Sequence, residues 1–472
     1  MSDAPRFAVV GRVNKGKSSV IATLAEDDQV AISPLPGTTR RCADYPVRVD
    51  DETLFVLVDT PGFEDAPRAL AWLKSTNPPA DERRARVEAF VREYEGTDAF
   101  VEERELLGPI LDDALILYVV DGTRPYRENY ASEMEILRWT GQPSMALINR
   151  IGDGDHAESW RSALDQYFKV VRDFDAHSAS FEERVRLLTT FRELAPGAEN
   201  ALQRAIDALE ADRDRRRAEV AEVLTKLLID ALTFTMETGE REQSEPRKLE
   251  DAFHEALRAR ERKARRQVER LYHHQRVSWE HATEFERPVL GEDLFARRTW
   301  ADLGLSAGQV LALYTVSGAV AGSVVDAAVG GASFLAGTAI GSAVGAGAGA
   351  LHVQRRFARA TSLGGLGDRV GRTFRGGKRY RVGPFAHPNF PFVLLDRSLL
   401  HYDAVRTRAH AKNAVDEATS ALPGESRRMT DLPRSDRSEL HRLFEKVRKS
   451  GGDVPPQVAA ELRNRVAKLL EQ

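Results

Sequence analysis

The stretch Gly11-Arg12-Val13-Asn14-Lys15-Gly16-Lys17-Ser18 follows the pattern G-x-x-x-x-G-K-[ST]. It comes directly after an apolar run, Phe7 to Val10, and before a helix expected over Ser19 to Leu24, which is the setting the pattern needs. The glycines let successive backbone N–H groups wrap a chain of phosphates, so Asn14, Lys15, Gly16, Lys17, Ser18 and Ser19 are the expected nucleotide-binding residues of this loop. Lys17 can reach the β- and γ-phosphates, and the Ser18 hydroxyl can ligate Mg²⁺. Downstream, Pro36-Gly37-Thr38-Thr39-Arg40 occupies a loop before an expected strand, Tyr45 to Val49. A loop threonine placed there can complete Mg²⁺ coordination and sense a γ-phosphate. Asp59-Thr60-Pro61-Gly62 ends the apolar run Leu54 to Val58. There the aspartate can hold Mg²⁺ through water, and the glycine amide can touch the γ-phosphate. The expected chemistry is that of a phosphate-binding switch. Lys17, a threonine of the pair Thr38-Thr39 and Gly62 are expected to act on the γ-phosphate, and Ser18, that threonine and Asp59 to hold Mg²⁺.

These groups need strand ends to carry them. Besides Phe7 to Val10 and Leu54 to Val58, the chain has strand-length apolar runs at Ala114 to Val120 and Ser144 to Ile148, each followed by a turn signal. A more mixed run near Phe168 to Phe174 is the expected last strand, and Arg127 to Trp139 reads as a helix stopped by Gly141 and Pro143. Continuous rather than alternating apolar runs are those of strands buried on both faces, so the predicted class is α/β with a mostly parallel sheet and helices on both sides. The connection from Phe63 to Asp113 is far longer than a strand-to-strand crossover needs, and its composition is helical at Asp81 to Arg92 and Glu102 to Leu107. It is read as a helical insertion.

GRVNKGKS, PGTTR and DTPG together resemble the translation-factor-related GTPases, and within them the Era/TrmE-like branch, over roughly residues 6 to 180. The resemblance implies GTP and GDP as ligands, Mg²⁺ as cofactor and hydrolysis of GTP, with Lys17, Ser18, Thr39 (Thr38 being the alternative) and Asp59 as the phosphate and metal residues. It also places Asn14 where potassium-activated members of that branch hold K⁺ beside the phosphates, an ion that acts there as a fixed positive charge; the residue-level alternative for Asn14 is simply a good turn former. Two departures stand out. The family's base-reading Asn-Lys-x-Asp is matched by Asn149-Arg150-Ile151-Gly152-Asp153, with the aspartate one residue late, so Asn149 with Asp153 or Asp155 is the expected base pocket and Ser178-Ala179 its backbone complement. The residue after DTPG is Phe63, where many switch GTPases have a water-orienting glutamine, so intrinsic turnover is expected to be slow or to use Glu64, Asp65, Arg40 or Arg41.

The C-terminal half differs in kind. From Gly197 to His281 the chain is charged and helical, with apolar residues at helix spacing and a break at Gly239 to Pro246, read as two long helices in a hairpin. From Leu303 to Gln354 one side chain, Asp326, is formally charged. Gly318, Gly322 and Gly330, with Asp326 at the missing step, and then Gly337, Gly341, Gly345 and Gly349 follow a four-residue spacing that lines one helix face, a glycine zipper able to bring two backbones together in lipid or buried within the protein. A basic stretch follows, from Arg355 to Arg381. A strand at Phe392 to Leu395, a helix near Leu399 to Ala418 and a final amphipathic helix complete the reading. The expected domains are 1–196 (with insertion 63–113), 197–302, 303–354 and 355–472. This layout resembles bacterial GTPases in which an Era-like domain precedes charged helices and a glycine-rich hydrophobic hairpin.

Composition bounds the function. With 42% hydrophobic and 30% charged residues the chain is neither disordered nor a multi-span membrane protein, and 68 basic against 72 acidic residues, a net charge of −4, exclude a globally polybasic nucleic-acid binder. One cysteine, Cys42, excludes an internal disulfide and a multi-cysteine metal site. The N-terminus lacks the pattern of a secretory signal, so the expected location is cytoplasmic, at the inner face of the membrane if the hairpin attaches there. The expected activity is a GTP-driven switch that couples nucleotide state to an anionic membrane surface, or to self-assembly through the switch loops or glycine faces. The competing reading is an RNA- or ribosome-associated GTPase using the basic segments at Leu257 to Arg270 and Arg355 to Arg381. No GxxG stands in a KH-like setting and no aromatic RNP-type strand is seen in the sequence.

Overall fold

Alternation along the strands shows why their sequences read as unbroken apolar runs. In the computed structural model, Phe7 and Val9 of strand β1 (Arg6–Val10) join one buried cluster while Ala8 and Val10 join another. Strand β4 (Leu115–Asp121) divides likewise, Leu115, Leu117 and Val119 against Ile116, Tyr118 and Val120. Both faces are covered, so both residue sets must be apolar. The structure describes residues 4–12, 15–25, 41–150, 154–176, 179–237, 246–272, 290, 292–306, 309, 372–374, 377–379, 381–407 and 428–472.

The described residues fall into two compact units, Met1–Arg215 and, for the most part, Arg216–Gln472. In the first, a six-stranded sheet has the order β2-β3-β1-β4-β5-β6, with β2 (Ala43–Val49), β3 (Glu52–Asp59), β5 (Ser144–Asn149) and β6 (Val171–Phe174) around the central pair. Only β2 runs antiparallel to its neighbour in this sheet. The last strand is shorter than the sequence suggests. Phe168 leaves it to stack on Tyr118, ring centroids 5.2 Å apart. Helix α1 (Lys17–Ala25) contributes to one cluster, as does α7 (Phe181–Leu194), which starts on a capping box formed by Ser180 and Glu183.

The other face carries the insertion as three helices, α2 (Ala66–Lys74), α3 (Arg83–Glu93) and α4 (Val101–Leu111), together with α5 (Ala131–Trp139) and α6 (Ala157–Leu164). Phe90 and Phe100 sit 5.0 Å apart and Tyr94 lies 4.8 Å from Phe100, an aromatic knot that fastens α3 to α4.

The second unit is built on two long helices, α8 (Glu199–Thr233), shared with the first unit's chain, and α9 (Pro246–Leu271), as the sequence spacing predicts. Short pieces follow: α10 (Arg297–Asp302), hairpin strands Arg372–Phe374 and Gly377–Arg379, and Arg381–Val382 paired with Met236–Glu237. The expected strand at Phe392 to Leu395 is overturned. Those residues lie inside helix α11 (Phe390–Thr407), which is buried around nearly its whole circumference. A continuous apolar run is the signature of a strand covered on both faces and equally of a helix covered on all sides, and periodicity alone does not separate them. Two amphipathic helices, α12 (Arg434–Lys449) and α13 (Pro456–Leu470), close this core.

Asp396 of α11 is fully buried and accepts a hydrogen bond from the Gly304 amide at 2.9 Å. Burial lifts its carboxyl from the ordinary 3.8 to about 7, against the opposing effect of the Gly304 and Met429 amides and of Arg428. A pKa raised in the folded state favours folding below the unfolded value, and that contribution is lost as pH rises through about 7. Urea denaturation at pH 5 and pH 8 should therefore show a smaller loss of stability for Asp396→Asn than for the parent over that interval. Equal losses in both proteins would contradict the assignment.

The expected glycine-rich hairpin, 303–354, lies outside the described residues apart from 303–306 and 309. Among the described residues no helix is long and apolar enough to cross a membrane.

Candidate phosphate-binding site

Strand β1 lies between β3 and β4, so the connections on its two sides leave in opposite directions and open a crevice at its carboxyl end. Gly11, Arg12, Lys15 and Gly16 lie there, between β1 and the first turn of α1. Gly11 has φ +149°, and a Cβ on it would come 2.3 Å from the Val119 carbonyl oxygen. Only glycine lets the loop pass that close to β4.

Lys17 is the first residue of α1 and is buried. Its ammonium donates to the carbonyls of Gly11 (2.9 Å) and Arg12 (3.2 Å), which folds it back over the loop. Burial holds its pKa below the ordinary lysine range, opposed by the charges of Asp59 and Glu133. Lys15, also buried, donates to Asp121 at 3.3 Å and so ties the loop to the end of β4. The Ser18 hydroxyl donates to Asp59 Oδ2 at 3.4 Å. A hydroxyl and a carboxylate side by side beneath a phosphate cradle are oxygen donors of the kind Mg²⁺ takes, and the pair fits that ion. The neighbouring Thr60 hydroxyl donates to the Val9 carbonyl at 2.8 Å, fixing the start of the DTPG turn against β1. Ser19, in the first turn of α1, and Gly62, just after β3, are buried.

Asn149 is fully buried, and its side chain staples two loops. Its amide nitrogen donates to the Lys15 carbonyl at 3.4 Å and its amide oxygen accepts from the Ala176 N–H at 3.2 Å. The loop after β5 is then held against the end of β4. The His156 N–H donates to the Gly122 carbonyl at 2.8 Å, and Gly154 passes so close to Thr123 that a Cβ would lie 2.1 Å from its carbonyl oxygen. Asp155 is exposed and accepts from the Ala157 N–H at 3.4 Å, at the start of α6. Asn14, Thr38, Thr39, Arg40, Asp153 and Ser178 lie outside the described residues.

Phe63 is buried in the insertion-side cluster, which explains a phenylalanine at this position: it packs rather than facing water. Of the charged groups near it, Asp65 caps α2, accepting from the Arg68 N–H at 3.3 Å. Glu64 is exposed beside Glu102, and that shared hydrogen bond and mutual repulsion raise its carboxyl pKa.

Two features were not visible in the sequence. Arg12, a variable position of the loop motif, pairs with Glu133 of α5, donates to the Asn129 carbonyl at 3.0 Å and stacks 4.1 Å above the Tyr130 ring. Glu133 is buried and also accepts from the Tyr118 hydroxyl at 3.0 Å; burial raises its pKa, and Arg12 works against that rise. Glu103 of α4 is buried beside Glu64 and Asp65. No local signal marks either glutamate, because each looks like an ordinary helix charge until the helices are packed.

Cys42, at the entry to β2, is half-buried. Its amide and thiol contact Glu105, the thiol donating to the Glu105 carbonyl at 3.0 Å. Burial, with the charges of Glu105 and Asp44, pushes the thiol up to about 12. Iodoacetamide at pH 8 should alkylate it at least about a hundredfold more slowly in the folded protein than in urea, since the thiolate is the nucleophile. Equal rates would contradict this environment.

Residues 161–471 match the family described as "Domain of unknown function (DUF3482)", and residues 6–150 match the family described as "50S ribosome-binding GTPase". Among curated proteins, the chain is 26% identical over 170 residues to GTPase Der of Oceanobacillus iheyensis (36% of this chain, 32% of that one). It is 24% identical over 237 residues to GTPase Der of Lacticaseibacillus casei (49% and 45%). The chain spans less than half the length of these relatives. Among solved structures, Aquifex aeolicus Era bound to GDP.AlF4- shares 19% identity with a TM-score of 0.26, covering 37% of this chain and 52% of that one. The family matches place a P-loop GTPase domain at residues 6–150 and the other family from residue 161 onward.

Proposed function

The chain belongs to the DUF3482 family, and from that premise we propose that it is a GTP-binding and GTP-hydrolysing switch whose N-terminal domain drives its C-terminal region. The observation that carries this reading is the convergence of Lys17, Ser18 and Asp59 at the carboxyl ends of β1 and β3. With nucleotide bound, the Lys17 ammonium exchanges its carbonyl partners for β- and γ-phosphate oxygens. Ser18, Asp59 and Thr39 would hold Mg²⁺, which would supply positive charge against the phosphates. The Gly62 amide meets the γ-phosphate. Asn14 is the proposed K⁺ ligand, and Asp153 the proposed guanine reader beside the Asn149 staple. Burial of Phe63 leaves no side chain of that residue to orient water, so the intrinsic rate is slow.

The output proposed for this switch is attachment to an anionic membrane surface, or assembly with a second copy, through the segment 303–354. The sequence of that segment supports it: one formal charge and glycines at four-residue spacing. The basic helix α9 contributes less than its composition suggests. Arg258 pairs with Asp293, Arg262 with Glu255 and Arg265 with Glu261, while Arg260 stacks on Phe234 at 3.6 Å. A ribosome-associated role is the second reading, favoured by the family description that residues 6–150 match.

Phosphate release from GTP with Mg²⁺, compared in K⁺ and Na⁺, tests the enzyme: slow, chelator-sensitive turnover that is faster in K⁺ is expected, and no release in either salt would refute hydrolysis. Flotation with phosphatidylserine vesicles and co-sedimentation with ribosomes, each with GDP and with a GTP analogue, separate the two outputs.

A further inference from the structure

The insertion does more than thicken one side of the sheet. Helix α4 starts after Phe100, which adopts a left-handed backbone (φ 53°), and this turn aims its first residues at the segment that follows DTPG. Glu103, 1% exposed, uses a single carboxylate oxygen, Oε1, to accept both the Glu64 N–H (2.9 Å) and the Asp65 N–H (2.6 Å). Asp65 in turn caps α2. The chain immediately after Gly62 and Phe63 is therefore held at two successive amides by a side chain from outside the switch. Two residues along the same helix, Glu105 holds Cys42, its Oε2 accepting the Cys42 N–H at 3.4 Å and its carbonyl the thiol at 3.0 Å. Cys42 ends the stretch that contains Thr38 and Thr39. One helix thus grips the chain next to both γ-phosphate-sensing segments.

We propose that Glu103 is a positioning residue for GTP hydrolysis, and that α4 of the insertion sets the DTPG segment so that the Gly62 amide is presented to the γ-phosphate. This rests on the GTPase reading above. A charge-assisted pair of hydrogen bonds on adjacent amides fixes the peptide planes there, and the orientation of the Gly62 amide follows through a single intervening residue, Phe63, whose ring is itself locked in the core. A γ-phosphate would benefit from that order, whereas GDP, which lacks one, would not.

The test compares Glu103→Ala, Glu103→Gln and the full-length parent. Loss of the carboxylate should lower kcat about tenfold and weaken a non-hydrolysable GTP analogue by a similar factor while GDP affinity stays within about twofold, in line with the usual strength of hydrogen bonds to a charged group. Glu103→Gln keeps an oxygen where both amides point and should recover most of the loss. If Ala and Gln behave alike, if GDP and the analogue weaken by the same factor, or if kcat is unchanged, the proposal is wrong. Should Glu103→Ala fail to fold, Glu103→Asp, one methylene too short to reach, should show the same selective loss. Hydrogen exchange on the GDP-bound parent gives an arm that needs neither a variant nor turnover. The Glu64 and Asp65 amides should be protected, and exchange at the rate of an open loop would overturn the clamp. Absence of GTP turnover in the parent would refute the enzymatic reading while leaving that arm intact.

Discussion

Lys17→Ala should reduce GTP turnover by at least about a hundredfold, the scale seen when one group aimed at developing transition-state charge is removed. Lys17 is the first residue of α1, its ammonium lies over the loop within reach of two loop carbonyls, and its charge is stabilised by Asp59 and Glu133. Among the described residues, the two other cations of the loop are already engaged. Lys15 is committed to Asp121 at 3.3 Å, and Arg12 to Glu133 and the Tyr130 ring. The alanine variant should still fold, because the side chain fills a polar cradle rather than the core, and thermal melting checks this. A folded variant that hydrolyses GTP at the parental rate would show that the loop is not the catalytic phosphate site.

The second large effect belongs to the C-terminal unit. Arg397→Met should destabilise it by about 3 kcal/mol or more, the usual result of breaking a buried ion pair from one side. Arg397 is 4% exposed and donates to Glu261 at 2.6 Å, and to the carbonyls of Leu290 (2.9 Å) and Glu292 (2.5 Å). Burial alone would raise the Glu261 pKa, but Arg265 and Arg397 together override it and hold the carboxyl below its ordinary range. Methionine fills similar space but leaves Glu261 with one guanidinium and removes the donor that Arg397 supplies to the Leu290 and Glu292 carbonyls, of which Leu290 keeps Arg265 at 3.2 Å. Urea denaturation followed by circular dichroism reads the loss; a change under about 1 kcal/mol would mean that Arg265 alone satisfies Glu261.

The parts legible in the sequence are those whose chemistry is contiguous. The role proposed for Gly11 to Ser18 needs consecutive residues, because adjacent backbone amides would do the binding, and the role proposed for Asp59 to Gly62 needs a strand end for the same reason. The sheet was legible because strands buried on both faces leave no polar residue to break the run, as β4 and β5 show. What was hidden depends on packing between segments distant in sequence. Glu103 and Glu133 look like solvated helix charges, and only the packed helices bring them against Asp65 and Arg12. Phe392 to Leu395 was misread because a helix buried on every side has no period to display. Arg265 looked like part of a basic surface and is instead paired with buried Glu261.

The most direct test of the central claim is equilibrium binding of GTP, GDP and ATP to the full-length protein with Mg²⁺. A guanine-nucleotide switch should bind GTP and GDP at least about a hundredfold more tightly than ATP, as expected of a site whose buried polar groups pair only with the correct base. Lys17→Ala should weaken the guanine nucleotides. Equal affinity for ATP, or guanine nucleotide binding untouched by Lys17→Ala, would contradict it.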